Sequence, residues 1–353
     1  MLELRNISKT YESFRVEDIS LKIDPGDYFV ILGRSGAGKT LLLEIAAGIR
    51  RADHGNIILG NRDITHARIQ QRNLGLVFQD YAVFPHLTVA GNIAYPLKRK
   101  GHHRSGVQKR TRELARITGL EHLLNRYPAS LSGGEIQRTV LARTLALEPS
   151  VLLLDEPLTS LDVQFKRELQ ALLRRLNQQG QTIVHVTHDY QEALALANRV
   201  AVMENGRISQ QGEIHEVFRN PSNSFIADFV GIRNFFRAMI EPLPGKDHKA
   251  AQLGGGNTFL VSAEIAPGEA VITLDARSVI LSNNQPDSSA LNNLQGIVKD
   301  IIPTRQGLEV MVDAGVDIAA LITRESLERL NIEPGRKVWV SFKASALSVN
   351  KLA

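Results

Sequence analysis

The chain has 353 residues, of which 43% are hydrophobic and none is cysteine. This length suggests about two domains, and the absence of thiols excludes disulfides, thiolate metal sites and cysteine nucleophiles. No apolar run approaches the roughly 18–20 residues that a membrane-crossing helix needs, so we expect a soluble chain that reaches a membrane only through a partner.

The net charge of +5 is unevenly distributed. In residues 231–353, thirteen Lys and Arg residues balance thirteen Asp and Glu residues, so the whole excess lies in residues 1–230. Residues 98–116 alone carry eight Lys or Arg residues and one acid, Glu113. This basic segment is either a solvated helix face or a surface for anionic lipid headgroups or an acidic partner. It lacks interleaved aromatic residues, which argues against nucleic acid.

Near the start of the chain, apolar and polar residues alternate in two segments, residues 2–9 and 19–23. The alternation predicts an antiparallel hairpin, and we expect it to lie beside the strand that follows it. Tyr11 comes just after the first segment. It is either a half-buried packing residue or an aromatic side chain that stacks on a purine ring.

A glycine-rich turn at residues 33–40 reads GRSGAGKT, between an apolar run at 29–32 and a predicted helix that ends near Gly48. A strand, a glycine turn and a helix N-terminus surround one concavity with backbone N–H groups, which suits phosphate. This is the Walker A pattern, in which Lys39 reaches the outer phosphates and the Thr40 hydroxyl holds Mg²⁺. The predicted cradle comprises Gly33, Arg34, Ser35, Gly36, Ala37, Gly38, Lys39 and Thr40.

Residues 74–78 predict a buried strand that ends on Gln79, whose amide can bind Mg²⁺ or orient water. The pattern then becomes helical from about residue 81 to 127. An apolar loop at 84–89 precedes these helices, and it is either a satellite core or a docking surface for another chain.

A second phosphate-cradle composition, LSGGE, occupies residues 131–135. Ser132 can cap a helix that starts near Gly134, whose N–H groups then face an anion. One mononucleotide needs one cradle. The second cradle must therefore serve another ligand or a nucleotide held by another subunit.

The apolar run at 151–154 predicts a central parallel strand buried on both faces, with two carboxylates at its carboxyl end. Asp155 can hold Mg²⁺ through water, and Glu156 can polarise an attacking water. A helix is predicted after residues 160–162. The strand at 183–187 contains His185, which we expect in the core, and ends at His188, in position to contact a γ-phosphate.

These motifs, in this order, resemble the nucleotide-binding subunit of ABC transporters over residues 1 to about 230. The resemblance implies an α/β P-loop nucleoside triphosphatase domain with a helical subdomain at about 81–145, and two copies that sandwich two ATP molecules head to tail. It implies that Tyr11 stacks on adenine, that Gln79 senses Mg²⁺ and water, that Glu156 is the general base and that His188 is the γ-phosphate switch. The implied contacts with the nucleotide across the sandwich come from Ser132, Gly133, Gly134, Glu135 and Asp162.

The resemblance also implies partners. We expect a homodimer at the cytoplasmic face of the cell membrane, beneath two transmembrane permease subunits whose coupling helix docks near Tyr81 and residues 84–87. An extracytoplasmic solute-binding protein would deliver the cargo, for which molybdate or tungstate is the first prediction. Sulfate, ferric iron, polyamine or sugar importers share this architecture. A cytosolic ABC ATPase not coupled to a membrane is the remote alternative, and no nucleic acid partner is expected.

Beyond a predicted boundary near Gly231, short strands between turns predict a small barrel. They are residues 270–274, 278–281, 296–302, 308–312, 317–322 and 337–342, with a polar linker at 283–293. The last sixty residues resemble the all-β, OB-like TOBE and molybdate-binding (Mop) modules of importer ATPases. The resemblance implies that Ser289, Lys343 and Ser345 contact an oxyanion. Leu291 replaces the arginine usual in the Mop pattern, so the alternative is a barrel at 231–353 that only dimerises.

Overall fold

The computed structural model describes residues 1–11, 13–80, 82–99, 101, 103–159, 161–245, 247–254 and 256–351. Tyr81 and Ser160, which the sequence assigns to a docking groove and to the segment before Asp162, lie outside the described residues. The chain divides into two compact units, Met1–Val217 and Phe218–Ala353. In the described part of the chain, no helix combines the length and the apolar character that crossing a bilayer requires.

The strands of the first unit are β1 (Leu2–Thr10), β2 (Arg15–Ile23), β3 (Tyr28–Leu32), β4 (His54–Leu59), β5 (Arg62–Asp63), β6 (Leu74–Val77), β7 (Val151–Asp155), β8 (Thr182–Thr187), β9 (Arg199–Glu204) and β10 (Arg207–Glu213). Its helices are α1 (Lys39–Ala47), α2 (Val89–Arg99), α3 (Arg104–Ile117), α4 (Gly133–Leu145), α5 (Val163–Gln178) and α6 (Tyr190–Leu196). Helix α7 (Ile214–Arg219) crosses the boundary between the units.

The main sheet of this unit has the order β10-β9-β3-β8-β7-β6. Strands β9, β3, β8, β7 and β6 are parallel, and β10 is antiparallel to β9. Strand β7 is buried along its whole length between β6 and β8, which confirms the central parallel strand predicted at 151–154. The carboxyl ends of β3, β7 and β8 therefore meet at one edge, where such sheets bind ligands.

The predicted hairpin forms, because β1 and β2 pair antiparallel. Its expected place beside β3 is wrong, however: β1 and β2 belong to a separate sheet of order β2-β1-β4-β5. The reason is that β8 and β9 already occupy both edges of β3. Apolar residues of both sheets and of α1 then pack in one core, which includes Ile7, Ile19, Phe29, Leu42 and Leu153.

Along the chain, helices α2, α3 and α4 come after β6 and before β7. The three helices contact one another. Much of the basic segment forms α3, which buries Val107 and Leu114. It exposes Arg104, Lys109, Arg112 and Arg116. The solvated helix face predicted for this segment is therefore present.

In its described residues, the second unit contains α8 (Ser224–Val230) and α9 (Arg324–Leu330), with ten strands. They are β11 (Asn234–Pro242), β12 (Lys249–Leu253), β13 (Thr258–Val261), β14 (Gly268–Leu274), β15 (Ile280–Ser282), β16 (Asn292–Thr304), β17 (Gly307–Asp313), β18 (Asp317–Ile322), β19 (Lys337–Phe342) and β20 (Leu347–Lys351). They form two five-stranded antiparallel sheets, β13-β12-β11-β14-β20 and β15-β19-β16-β17-β18.

Both sheets contribute to one core, in which Phe259 contacts Phe236 and Phe342 edge-on at centroid distances of 5.3 and 5.1 Å. The all-β prediction for this part is confirmed. The sequence reading missed β11, β12, β13 and β20, and its polar linker extended too far, because Asn292 and Asn293 already belong to β16. The unit begins at Phe218, ahead of the boundary predicted near Gly231, so it includes α8. The assignment of the units to an ATP-binding and a regulatory domain stays a prediction.

Candidate active site

The glycine-rich turn connects β3 to α1, and steric limits explain two of its glycines. A Cβ on Gly33 would lie 2.3 Å from the carbonyl oxygen of Met203. Gly38 has a left-handed backbone, with φ 101°, and a Cβ there would approach the ring of Phe14 to 2.8 Å. Only glycine fits both positions. Within the same turn, Arg34, Ser35 and Gly36 are exposed, whereas Ala37 is buried.

Lys39 is the first residue of α1 and is 5% exposed. Its Nζ donates hydrogen bonds to the carbonyl oxygens of Gly33 and Arg34, both at 3.0 Å. Burial lowers the pKa of Lys39, and the nearby Glu156 and Asp155 carboxylates oppose that shift. The turn therefore holds a partly desolvated ammonium group, and an anion bound beside it would stabilise its positive charge.

Thr40 and Asp155 form a hydrogen-bonded pair between α1 and the end of β7. The Thr40 hydroxyl donates to Asp155 Oδ1 at 3.0 Å. Asp155 is 4% exposed, and burial raises its pKa although the Thr40 hydrogen bond acts in the opposite direction. A hydroxyl and a carboxylate oxygen side by side are donors that suit Mg²⁺, which binds through one or two protein groups and takes phosphate and water oxygens for the rest. Consistent with so few protein ligands, the described residues include no cluster of three or more His, Cys, Asp or Glu side chains that could hold a metal.

Glu156 and His188 follow the adjacent parallel strands β7 and β8, which brings them together. His188 Nδ1 lies 3.1 Å from Glu156 Oε1. The Thr159 hydroxyl donates to the other carboxylate oxygen of Glu156, also at 3.1 Å. Thr159 was missed by sequence reasoning, since no motif drew attention to it. The Glu156 carboxylate thus contacts both Thr159 and His188, and the His188 side chain is more exposed than that of Glu156.

Ser132 caps α4, as the sequence predicted, through a reciprocal capping box. Its Oγ accepts from the Glu135 backbone N–H at 3.4 Å, and its own N–H donates to Glu135 Oε2 at 2.7 Å. The bond from the Ser132 backbone lowers the pKa of Glu135. Gly133 and Gly134 form the first turn of the helix, and a Cβ on Gly134 would lie 3.1 Å from the ring of Phe165.

The other predicted nucleotide contacts lie elsewhere in the unit. Tyr11 is 38% exposed, and its hydroxyl accepts from Arg50 Nη1 at 3.1 Å, while Lys9 Nζ lies 5.5 Å from its ring centroid. Gln79 is exposed just beyond β6. Asp162 caps α5 by accepting from two backbone N–H groups, both at 3.1 Å.

The structure therefore brings together Lys39, Thr40, Asp155, Glu156 and His188 at one edge of the main sheet. Within the described residues, no hydrogen bond or ion pair joins this group to the other predicted contacts, which are Tyr11, Gln79, Ser132, Glu135 and Asp162.

The apolar loop at 84–87 is anchored at its base. Asn92 is fully buried and donates to the carbonyl oxygens of Phe84, Leu87 and Thr88, each at 3.1 Å. The Phe84 ring packs 4.6 Å from the ring of Tyr95 and also borders a groove of about 630 Å³. The loop is therefore both part of a small core and the wall of an open groove.

In the second unit, Ser289, Lys343 and Ser345 are all exposed. Asn292 pairs with Phe342 across β16 and β19. This register places residues 289–291 and 343–345 at the same end of the sheet. The structure gives no hydrogen bond among these three side chains in the described part of the chain.

Comparison with known sequences matches the ABC transporter family at residues 16–159 and the TOBE domain at residues 288–349. A molybdate/tungstate import ATP-binding protein of Pyrococcus abyssi is 41% identical, over 99% of this chain and 100% of that protein. A sulfate/thiosulfate import ATP-binding protein of Synechocystis is 35% identical over 96% of this chain and 92% of its own length. A spermidine/putrescine import ATP-binding protein of Pseudomonas aeruginosa is 37% identical over 95% of this chain and 92% of its own.

Among solved structures, one similar chain is an ATP-binding cassette bound to ADP and Pi in a dimeric post-hydrolysis state. It aligns with a TM-score of 0.56 and 30% sequence identity, over 61% of this chain and 99% of the other.

Proposed function

Since the chain belongs to the ABC transporter family, whose ATP-binding subunits hydrolyse ATP, we propose that it powers the import of molybdate or tungstate. The observation that carries the hydrolytic part is the pairing of Glu156 with His188, beside the Thr40–Asp155 pair. The cargo rests on the 41% identity, across both units, to a molybdate/tungstate importer subunit. Sulfate and spermidine importer subunits are 35% and 37% identical, so those cargoes are the alternatives.

Hydrolysis needs positioning and charge stabilisation more than covalent chemistry. In our proposal, the backbone of residues 33–38 and the Lys39 ammonium bind the phosphates. Thr40 and Asp155 would hold Mg²⁺, with Gln79 as a further oxygen donor, and the ion would neutralise charge on the phosphate oxygens. The Glu156 carboxylate orients the attacking water and accepts its proton, and His188 links that carboxylate to the γ-phosphate.

We propose that two copies of the chain complete each ATP site. Among the described residues, no hydrogen bond joins the cap of α4 at Ser132 to the Lys39 cluster, and Gly133 and Gly134 follow this cap at a helix N-terminus, which suits an anion. Asp162 is the cap of α5. In a head-to-tail pair these groups and Tyr11 would contact the two nucleotides, and the similar ATP-binding cassette bound to ADP and Pi is dimeric.

The partners follow from an import role. We propose peripheral attachment to the cytoplasmic face of the membrane through two permease subunits, with a solute-binding protein on the other side. We assign the groove beside Phe84 to the permease. Tyr95, an exposed aromatic residue, also lines this groove. The second unit either binds an oxyanion through Ser289, Lys343 and Ser345 or serves dimerisation alone. Calorimetric titration of the full chain with molybdate, in wild type and in Lys343→Ala, separates these two functions.

The test of the catalytic assignment is Glu156→Gln. We expect ATP to bind and the turnover rate to fall by about 100-fold or more, because the proton acceptor is lost while the phosphate cradle is intact. Light scattering with ATP should then detect a trapped dimer. Near-normal ATPase activity of the variant would refute the role of Glu156. The cargo is tested by uptake of labelled molybdate, sulfate and spermidine in cells that carry the wild-type chain or Glu156→Gln.

A further inference from the structure

A group of three charged side chains includes the residue that follows His188 and lies outside the proposed reaction centre, and one of the three, Glu192, is buried. Its cation is Lys166, one turn into α5, whose Nζ is 2.8 Å from Asp189 Oδ2 and 2.7 Å from Glu192 Oε1. Asp189 is the cap of α6, and Glu192 lies in the first turn of that helix. Among the described residues, no other Lys or Arg lies within ion-pair distance of either carboxylate.

Glu192 is almost completely buried and must stay ionised. Its Oε2 accepts from the Thr187 hydroxyl at 2.7 Å and lies 3.6 Å from His185 Nε2. Burial alone would raise its pKa, but the hydrogen bond from Thr187, the ammonium of Lys166 and the nearby His185 ring hold the pKa at about 2. A buried carboxylate of this kind requires a partner cation. Lys166 supplies it from a different helix.

Both neighbours of His188 belong to this network. The Thr187 hydroxyl donates to Glu192 and also accepts from the Asp189 N–H at 3.0 Å. One carboxylate oxygen of Asp189 caps α6, and the other binds Lys166. The backbone on either side of His188 is therefore held by side chains that connect to Lys166.

Lys166 is in turn tied to the start of its own helix. Its backbone N–H donates to the carbonyl oxygen of Asp162 at 2.9 Å, and Asp162 is the cap of α5. The cap of α5, which we assign to the dimer contact, is thus connected through the backbone and side chain of Lys166 to Asp189, the residue that follows His188.

We propose that Lys166 is a positioning residue for hydrolysis, which holds the Thr187–Asp189 segment against α5 and so keeps His188 at Glu156. This inference rests on the proposed function, because it assumes that the contact between His188 and Glu156 is catalytic. Loss of Lys166 frees Asp189 on the α5 side and leaves the Lys39 cradle intact. Turnover therefore falls while ATP affinity is retained.

The experiment measures kcat and KM for ATP of the full-length chain well below its unfolding temperature. For Lys166→Met we expect kcat to fall about tenfold and KM to stay within about twofold of wild type. Lys166→Arg keeps a positive charge at this position and should retain more activity than Lys166→Met. The matched control is Arg167→Met, which removes the same charge from the adjacent, exposed position of α5 and should leave both constants unchanged.

A second variant separates positioning from simple charge compensation. The double variant Lys166→Met with Glu192→Gln removes the uncompensated carboxylate, so we expect its unfolding temperature to return toward that of Glu192→Gln alone. Its kcat should stay about tenfold below that of Glu192→Gln, because Asp189 still lacks its partner. Equal kcat in these two variants, or wild-type kcat in Lys166→Met, would overturn the proposal. Failure of the proposed function is distinct, since then wild type would show no turnover or Glu156→Gln would not reduce it.

Discussion

Glu156 has a left-handed backbone, with φ 45°, which a residue with a Cβ adopts only at a cost. Its N–H donates to the carbonyl oxygen of Val186 at 2.9 Å, and its carboxylate accepts from Thr159. Neighbouring groups therefore hold both the backbone and the side chain in place. Such strain is retained where the surrounding structure over-determines it, and here it coincides with the proposed general base.

Glu192 should make the stability of the first unit depend on pH. Its pKa is about 2 in the folded chain and 4.5 in the reference state. Between these values the unfolded chain binds the extra proton, so Glu192 stabilises the fold above about pH 4.5 and this contribution is lost as the pH falls toward 2. The pKa difference corresponds to roughly 3 kcal/mol.

The measurement is urea unfolding of wild type and Glu192→Gln from pH 7 to pH 3. The difference in the free energy of unfolding should be constant at high pH and should shrink below about pH 4.5. Glu216→Gln, at an exposed position of α7, is the control and should differ little from wild type at any pH. A difference between wild type and Glu192→Gln that does not vary with pH would contradict the assignment.

At the scale of elements, α4 depends on its cap at the N-terminus. The capping box satisfies backbone groups that would otherwise lack partners at the start of the helix. The same helix buries Gly134 in its first turn, beside the Phe165 ring, and Val140, Leu141 and Ala142 further along, so both parts of the helix are packed. We infer that the cradle at Ser132 is preformed before a second copy approaches.

Substitution of Ser132 by Ala should lower the free energy of unfolding by about 1 kcal/mol, because one hydrogen bond of the box is lost. Chemical denaturation detects this change directly. Ser130→Ala is the nearby control, since Ser130 is exposed and its hydroxyl donates to the carbonyl oxygen of Tyr127, outside α4. If both variants unfolded alike, the cap would not be a determinant of the stability of α4.

At the scale of the whole molecule, each unit has its own core cluster, and among the described residues the two clusters have no residue in common. Phe259→Ala removes the central ring of the second core, which should cost about 3–5 kcal/mol. We expect calorimetry of the full chain to show the transition of the second unit at a lower temperature and that of the first unit unchanged. A shift of both transitions by the same amount would indicate that the units unfold together.

The proposed pairing of two chains makes activity depend on concentration. ATP hydrolysis per chain should fall as the enzyme is diluted below the dissociation constant of the ATP-bound dimer, because each chain supplies only part of either ATP site. Initial rates measured over several decades of chain concentration test this dependence. A rate per chain that is independent of dilution, with no dimer detected by light scattering, would be incompatible with shared sites.

The sequence alone determined the local features: the glycine turn before α1, the cap at Ser132, the acids that end β7 and the core position of His185. In the structure, His185 Nδ1 lies 3.0 Å from the Tyr28 hydroxyl. Each of these depends on residues close together in the chain, so periodicity and motif spacing contain them.

Only the tertiary structure decided where the β1–β2 hairpin lies, which residues support Glu156 and how Lys166 connects two helices. The hairpin joined another sheet because β3 had no free edge. Lys166 and Asp189 are 23 positions apart, and the buried carboxylate of Glu192 on α6 has its cation on α5. Such contacts arise from packing among distant segments, and no local pattern of residues encodes them.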